Sequence, residues 1–194
     1  MRRLRLYVGC SLTQAPLEFR EMVEKLKDLL REEYEILDFI GLVNGTPTDV
    51  YKWDIHKCVA ICDIFVAICD YPAIGLGYEM GVAIEKHGKP TLGLAHEDSK
   101  VSRLVFGIDH PNYSWKQYRT FQDIVVLIRE VAQQHFPQQI ENLCDIGGRC
   151  TPAPTTSNVS NCIYCGKELV QKDGKWYTWD ADLHPHQSPQ NAPD

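Results

Sequence analysis

The residues of this chain with the clearest capacity for chemistry lie in Gly75-Leu76-Gly77-Tyr78-Glu79. Gly75 and Gly77 remove side chains from a turn where a ligand must approach the backbone, and the helix expected to follow offers free N–H groups and partial positive charge. A glutamate placed there is expected to be held ionised. That suits nucleophilic attack on an anomeric carbon, passing through an oxocarbenium-like transition state to a covalent glycosyl-enzyme intermediate. A second carboxyl group must then hydrogen-bond or protonate the leaving group. Asp54, on the preceding helix, and Asp70, at the end of the preceding strand, are both placed for this, and sequence does not choose between them.

A second constellation lies near the C-terminus. Cys162-Ile163-Tyr164-Cys165-Gly166-Lys167 has the form of a zinc knuckle, two thiolates separated by two residues with a glycine that permits a tight turn around the ion. A hairpin around Asp173-Gly174 would return the chain to His184 and His186, completing a closed tetrahedral site of two cysteines and two histidines; Cys144 and Cys150 are the alternative second pair. So short a segment needs a structural metal to fold.

Each feature also has an ordinary structural meaning. A Gly-x-Gly followed by Glu is a common strand-to-helix turn, and an aspartate before Tyr71-Pro72 is a common turn residue. His56, His87, His96, His110 and His135 have no ligand spacing and are read as surface or capping residues. It is the combination of Glu79, Asp54 and Asp70 that points to a site.

The elements that must position these residues alternate. Leu4 to Val8 reads as a buried strand, and Pro16 opens a helix whose apolar face is Phe19, Met22, Val23, Leu26, Leu29 and Leu30. A strand from Tyr34 to Phe39 leads through a Gly/Asn/Pro loop to Thr48, the expected N-cap of a helix from Asp49 to about Cys62. Ile64 to Cys69 is a continuous apolar run, as expected of a central parallel strand. A helix ending at Gly88, a strand from Thr91 to Ala95, a short helix from Val101 to Gly107, an edge strand from Tyr113 to Tyr118 and a helix from Phe121 to His135 complete the pattern. This is a doubly wound α/β sheet, mostly parallel, in which Gly9-Cys10-Ser11 and Asp70 to Glu79 fall at carboxyl ends of strands, where such folds bind ligands. Residues 1–137 are read as this domain, 138–160 as a linker and 161–194 as the small zinc-ribbon-like appendage.

Composition bounds the function. The 194 residues are 44% hydrophobic and 24% charged, ordinary for a globular chain. A net charge of -6 without a Lys/Arg cluster argues against a polynucleotide partner. No run of residues is apolar for long enough to cross a bilayer, and the apolar stretch after Met1-Arg2-Arg3-Leu4-Arg5 is too short for a signal peptide. A cytoplasmic protein is expected, in which eight cysteines point to core thiols and metal binding rather than disulfides.

Leu6-Tyr7-Val8-Gly9-Cys10-Ser11-Leu12, Asp54, and Cys62 through Gly81 together resemble the nucleoside 2-deoxyribosyltransferase superfamily, which includes 2'-deoxynucleoside 5'-monophosphate N-glycosidases. The resemblance covers roughly residues 1 to 135, and its specific part is the Pro72-Ala73-Ile74-Gly75-Leu76-Gly77-Tyr78-Glu79-Met80-Gly81 block. It implies a flavodoxin-like fold and N-glycosidic cleavage or transfer on (deoxy)nucleosides or their monophosphates. Glu79 would be the nucleophile and Tyr7 would position it. Gly9, Ser11, Gly75 and Gly77 would lie near the sugar or its 5' substituent, and Asp54 near the base or sugar. Ser102 resembles the serine that some members lend to a neighbouring subunit's site, which implies a homodimer. Ile68, Ala73 and Thr13 depart from the hydrolases' glutamate, serine and arginine. On those departures rests the alternative of a non-catalytic nucleotide-sensing module whose zinc appendage contacts a protein partner.

Overall fold

The computed structural model describes residues 2–39, 45–138, 159–161, 168–172 and 175–178. The chain divides into two compact units, Met1–Val131 and Ala132–Asp194. In the first, β1 (Arg5–Cys10), β2 (Glu35–Leu37), β3 (Ile64–Ile68), β4 (Thr91–His96) and β5 (Tyr113–Tyr118) form one parallel sheet in the order β2-β1-β3-β4-β5. This is the doubly wound, flavodoxin-like architecture expected from the alternation. β3 is buried at every position, so its uninterrupted Ile-Phe-Val-Ala-Ile run reflects a strand covered on both faces.

Helix α1 (Leu17–Leu30) starts directly after Pro16, whose extended backbone serves as its N-cap. Its buried stripe is Val23, Leu26, Lys27 and Leu30, while Leu29 is exposed. The expected apolar face is thus rotated, and a lysine enters it. Lys27 can be buried because its ammonium donates to Glu24 Oε1 at 2.9 Å and lies 3.9 Å above the Phe39 ring. α5 (Phe121–His135) is tied to the end of α1 by Arg129, whose Nε donates to Glu33 at 3.1 Å.

α2 (Pro47–Trp53) begins two residues before the sequence reading placed it. Thr46, not Thr48, is the N-cap: its hydroxyl accepts from the Asp49 N–H, Asp49 accepts from the Thr46 N–H, and Pro47 supplies a preset first helical turn. The helix then passes into a π-helical segment, Asp54–Val59, and α3 (Ile74–Gly81) does the same over Val82–Lys86. Gly88 ends that helix with φ 56°, as a C-cap glycine should. α4 (Arg103–Phe106) is a single turn capped by Ser102.

In the second unit, β6 (Val159–Asn161), β7 (Glu168–Lys172) and β8 (Lys175–Thr178) form an antiparallel sheet. β7 and β8 are the expected hairpin; β6 begins within the stretch read as linker. The proposed metal ligands Cys162, Cys165, His184 and His186, and the alternatives Cys144 and Cys150, lie outside the described residues. Among the described residues no helix is long and apolar enough to cross a membrane.

Replacing Thr46 by Ala should cost about 1 kcal/mol in denaturant unfolding, whereas Thr48→Ala should be near neutral. Equal costs would return the cap to Thr48.

Candidate active site

The site is built from the face of the sheet that carries Tyr7 and Gly9. Parallel pairing sets Tyr7 beside Phe65 and Gly9 beside Ala67. Tyr7 is fully buried and stacks on Phe65 with centroids 5.3 Å apart. α3 comes down on this face: a Cβ built on Gly9 would stand 2.8 Å from Leu76 Cδ1, 3.1 Å from Phe65 Cε2 and 3.2 Å from Glu79 Oε2. Glycine admits that approach without displacing Leu76 or crowding Glu79. It brings Glu79 Oε1 within 3.3 Å of the Tyr7 hydroxyl, which donates to it.

Glu79 is the sixth residue of α3, beyond the first turn where a helix terminus stabilises an anion. The expectation that it is held ionised is therefore corrected. Burial, followed by the negative charge of Asp54, pushes its carboxyl from 4.5 up to about 7; the Tyr7 hydrogen bond offsets this only partly. Asp54 acts on this pair from the first residue of its π-helical segment, and its charge also raises the Tyr7 phenol. Tyr7, Gly9, Asp54 and Glu79 are thus one constellation between β1, α2 and α3.

Asp70 is not part of it. Its Oδ1 accepts from the His96 N–H at 3.1 Å, the Ser99 hydroxyl at 3.0 Å and the Tyr118 hydroxyl at 2.9 Å, and its buried Oδ2 has no hydrogen-bond partner among the described residues. Of the two carboxyl groups left open by the sequence, Asp54 is the one that acts electrostatically on Glu79. Ser11 is fully buried, donating to the Pro72 carbonyl at 3.1 Å and accepting from the Gln14 N–H at 3.3 Å. Its hydroxyl clips the β1 turn to the loop that leads into α3.

Gly77 and Ser102 meet elsewhere, in a cleft of about 300 Å³ between the start of α3 and the segment Lys100–Val105. Gly75 is exposed beside it, with open space where a side chain would be. Leu76 and Met80 belong both to this cleft and to the cluster around Tyr7, so α3 has the cleft on one flank and Glu79 on the other. Sequence reasoning missed Lys100 and Tyr71 as cleft residues; single residues in loops carry no periodic signal. It also missed the π-helical turns, which leave no mark in side-chain spacing. Among the described residues no group of three or more His, Cys, Asp or Glu is arranged to hold a metal.

No family model matches the chain. A protein of Thermofilum pendens named as a 2'-deoxynucleoside 5'-phosphate N-hydrolase is 29% identical over 113 residues, covering 53% of this chain and 78% of its own length. Among solved structures, the CMP N-glycosidase BcmB of Clostridium botulinum superposes with a TM-score of 0.50 at 20% identity, over 64% of this chain and 97% of that one. A 2-desoxiribosyltransferase of Leishmania mexicana aligns at 13% identity with a TM-score of 0.47, over 64% of this chain and 96% of its own. The fold is shared with the first of these structures.

A carboxyl raised from 4.5 to about 7 stabilises the folded protein fully below the unfolded value, and that contribution is lost as pH rises through 7. Glu79→Gln should therefore be more stable than the parent at pH 8 by roughly 1–3 kcal/mol, and no more stable at pH 4, as read by denaturant unfolding at the two pH values.

Proposed function

We propose that this chain is an enzyme that cleaves, or transfers across, the N-glycosidic bond of a (deoxy)nucleoside or its 5'-monophosphate. The observation that carries the reading is the Tyr7–Glu79 contact of 3.3 Å, with a second carboxyl group, Asp54, acting on Glu79 through its charge. The names borne by the T. pendens relative and the C. botulinum structure support the same bond and substrate class.

In this reading Glu79, deprotonated, attacks the anomeric carbon. The Glu79 O–C1' bond forms as the C1'–N bond breaks, and the bonding pair leaves with the nucleobase nitrogen. Asp54 hydrogen-bonds or protonates the departing base. Water or a second base then displaces the sugar from Glu79. Tyr7 holds the carboxylate in its attacking orientation, and burial keeps bulk water from the intermediate. Gly9, Gly75, Gly77 and Ser11 shape the walls. We further propose a homodimer that lends Ser102 to the neighbouring subunit: its hydroxyl is exposed at the α4 cap, and Ile74 and Leu104 nearby are 96% and 80% exposed. The four free thiols of the described core fit a cytoplasmic location.

The C-terminal unit is proposed to carry one structural zinc and to bind a protein partner. Asn161 ends β6 and Glu168 begins β7, and Cys162 and Cys165 lie between them in sequence, which supports the knuckle reading. His184 and His186, or Cys144 and Cys150, would complete the set. Metal analysis of purified protein should find about one zinc per chain, removable by a chelator with loss of the β6–β8 sheet signal. Metal-free protein with that sheet intact would refute the site.

Chromatography should detect free base after incubation with a panel of nucleosides and 5'-monophosphates, and Glu79→Gln should lower the rate by roughly 10³-fold or more. Because the ionised form attacks, kcat/KM should rise with pH through about 7. Asp54→Asn, which removes a like charge, should move that limb to lower pH; Tyr7→Phe, which removes a stabilising donor, should move it higher. Nucleotide binding without base release would support the sensing module instead.

A further inference from the structure

Asp70 is the best-connected side chain at the carboxyl ends of the strands, and the constellation around Glu79 does not use it. One of its oxygens gathers three donors from two elements beyond its own strand: the His96 N–H ending β4, the Ser99 hydroxyl in the following turn, and the Tyr118 hydroxyl ending β5. Its flanking residues, Cys69 and Tyr71, line the cleft between α3 and α4, while Asp70 itself does not. The residues that follow Ser99, Lys100 to Ser102, form the opposite wall.

The turn that carries that wall is otherwise held by ties to the end of β5, where the Glu97 N–H donates to the Tyr118 carbonyl at 3.0 Å and Arg119 Nε donates to Glu97 at 2.7 Å, and by short-range contacts. The Ser99 N–H donates to the His96 carbonyl at 2.9 Å and the Asp98 N–H to His96 Nδ1 at 3.3 Å. These shape the turn but do not fix its distance from the β3–α3 loop. The Ser99 hydroxyl bond to Asp70 does, and the His96 N–H and Tyr118 bonds anchor Asp70 to the neighbouring strands. A carboxylate that accepts three hydrogen bonds on one oxygen is a strong and directional tie.

We propose that Asp70 is a positioning residue that holds the Ser99–Ser102 segment, and so Ser102 itself, at a fixed distance from α3, and thereby governs substrate affinity rather than the chemical step. The proposal rests on the reading given above, in which Ser102 contacts the substrate in the neighbouring subunit's site. It distinguishes Asp70 from a general acid: an acid must give up a proton, whereas a positioning acceptor needs only its oxygen. Asparagine keeps that oxygen and replaces the one that has no partner among the described residues.

The test compares the parent, Asp70→Asn, Asp70→Ala and Tyr118→Phe, using the nucleoside or 5'-monophosphate that the parent turns over best, with folding of each variant checked by circular dichroism. Asp70→Ala should raise KM by about tenfold or more with kcat changed less than about threefold, Asp70→Asn should restore both, and Tyr118→Phe should raise KM by a few-fold. The proposal is overturned if Asp70→Asn loses kcat as deeply as Asp70→Ala, the mark of an acid, or if Asp70→Ala keeps the parental KM. Should Asp70→Ala not fold, the other two variants decide: parental kcat in Asp70→Asn with raised KM in Tyr118→Phe supports the assignment, and any other pairing refutes it. A parent that neither turns over nor binds these nucleotides by calorimetry defeats the functional reading, and this inference with it, before any variant is compared.

Discussion

The close approach of α3 to β1 at Gly9 is the constraint on which the rest of the site depends. A methyl group on residue 9 would displace the tip of Leu76 and crowd Phe65 and the Glu79 carboxyl. Without it, an ionisable group reaches the apolar face of a parallel sheet and meets a single phenol that is itself buried and stacked. Nearly everything else near the site serves to hold that approach. Ser11 clips the β1 turn to the loop entering α3, Leu76 and Met80 seat the helix on the sheet, and Phe65 fixes the ring of Tyr7.

Such an arrangement is costly, and the cost is informative. A carboxyl group loses its hydration on burial, and a second one, Asp54, facing it from the π-helical segment makes ionisation harder still. A chain selected only for stability gains nothing from a carboxyl group held against a buried phenol and under the charge of a second carboxyl. A carboxyl driven well above its ordinary range by burial and a like charge is a usual sign of acid–base or nucleophilic work. Both adjoining helices also shift to π geometry next to these residues, a local strain that tends to accompany function rather than packing.

The sequence made the sheet legible because parallel strands leave an unmistakable trace: Ile64 to Ile68 is apolar throughout, and the edge runs are not. The glycine–glutamate block was legible for a similar reason, since Gly, Tyr and Glu at fixed spacing restrict what the backbone can do. Three-dimensional partnership left no such trace. Asp54 and Asp70 looked equivalent as candidate acids, and only the fold shows one acting on Glu79 and the other spent on three donors at the ends of β4 and β5. Lys27 replaced Leu29 in the buried stripe because a carboxylate and an aromatic ring wait there for its ammonium, which periodicity cannot register. Thr46 displaced Thr48 as the cap because the reciprocal bond with Asp49 outweighs the position nearest the apolar pattern.

The positions at which the chain departs from its family resemblance acquire physical meaning in the fold. Ile68 pairs with Cys10 and Leu94, one residue out of phase with Ala67, so its side chain leaves the sheet on the face opposite Gly9 and Glu79. It is fully buried there, and a carboxylate at that position would be desolvated without reaching the Tyr7–Glu79 pair. The isoleucine therefore removes nothing from that pair. Ala73 is different: it stands at the N-cap of α3 and makes no side-chain hydrogen bond. The first N–H groups of the helix are then left without the hydroxyl or carboxylate that normally caps them, at the wall of the cleft that also holds Lys100. Loss of a capping side chain weakens the free helix while leaving its donors available to an anionic ligand. One departure is thus neutral for the chemistry proposed, and the other costs the start of α3 a capping side chain.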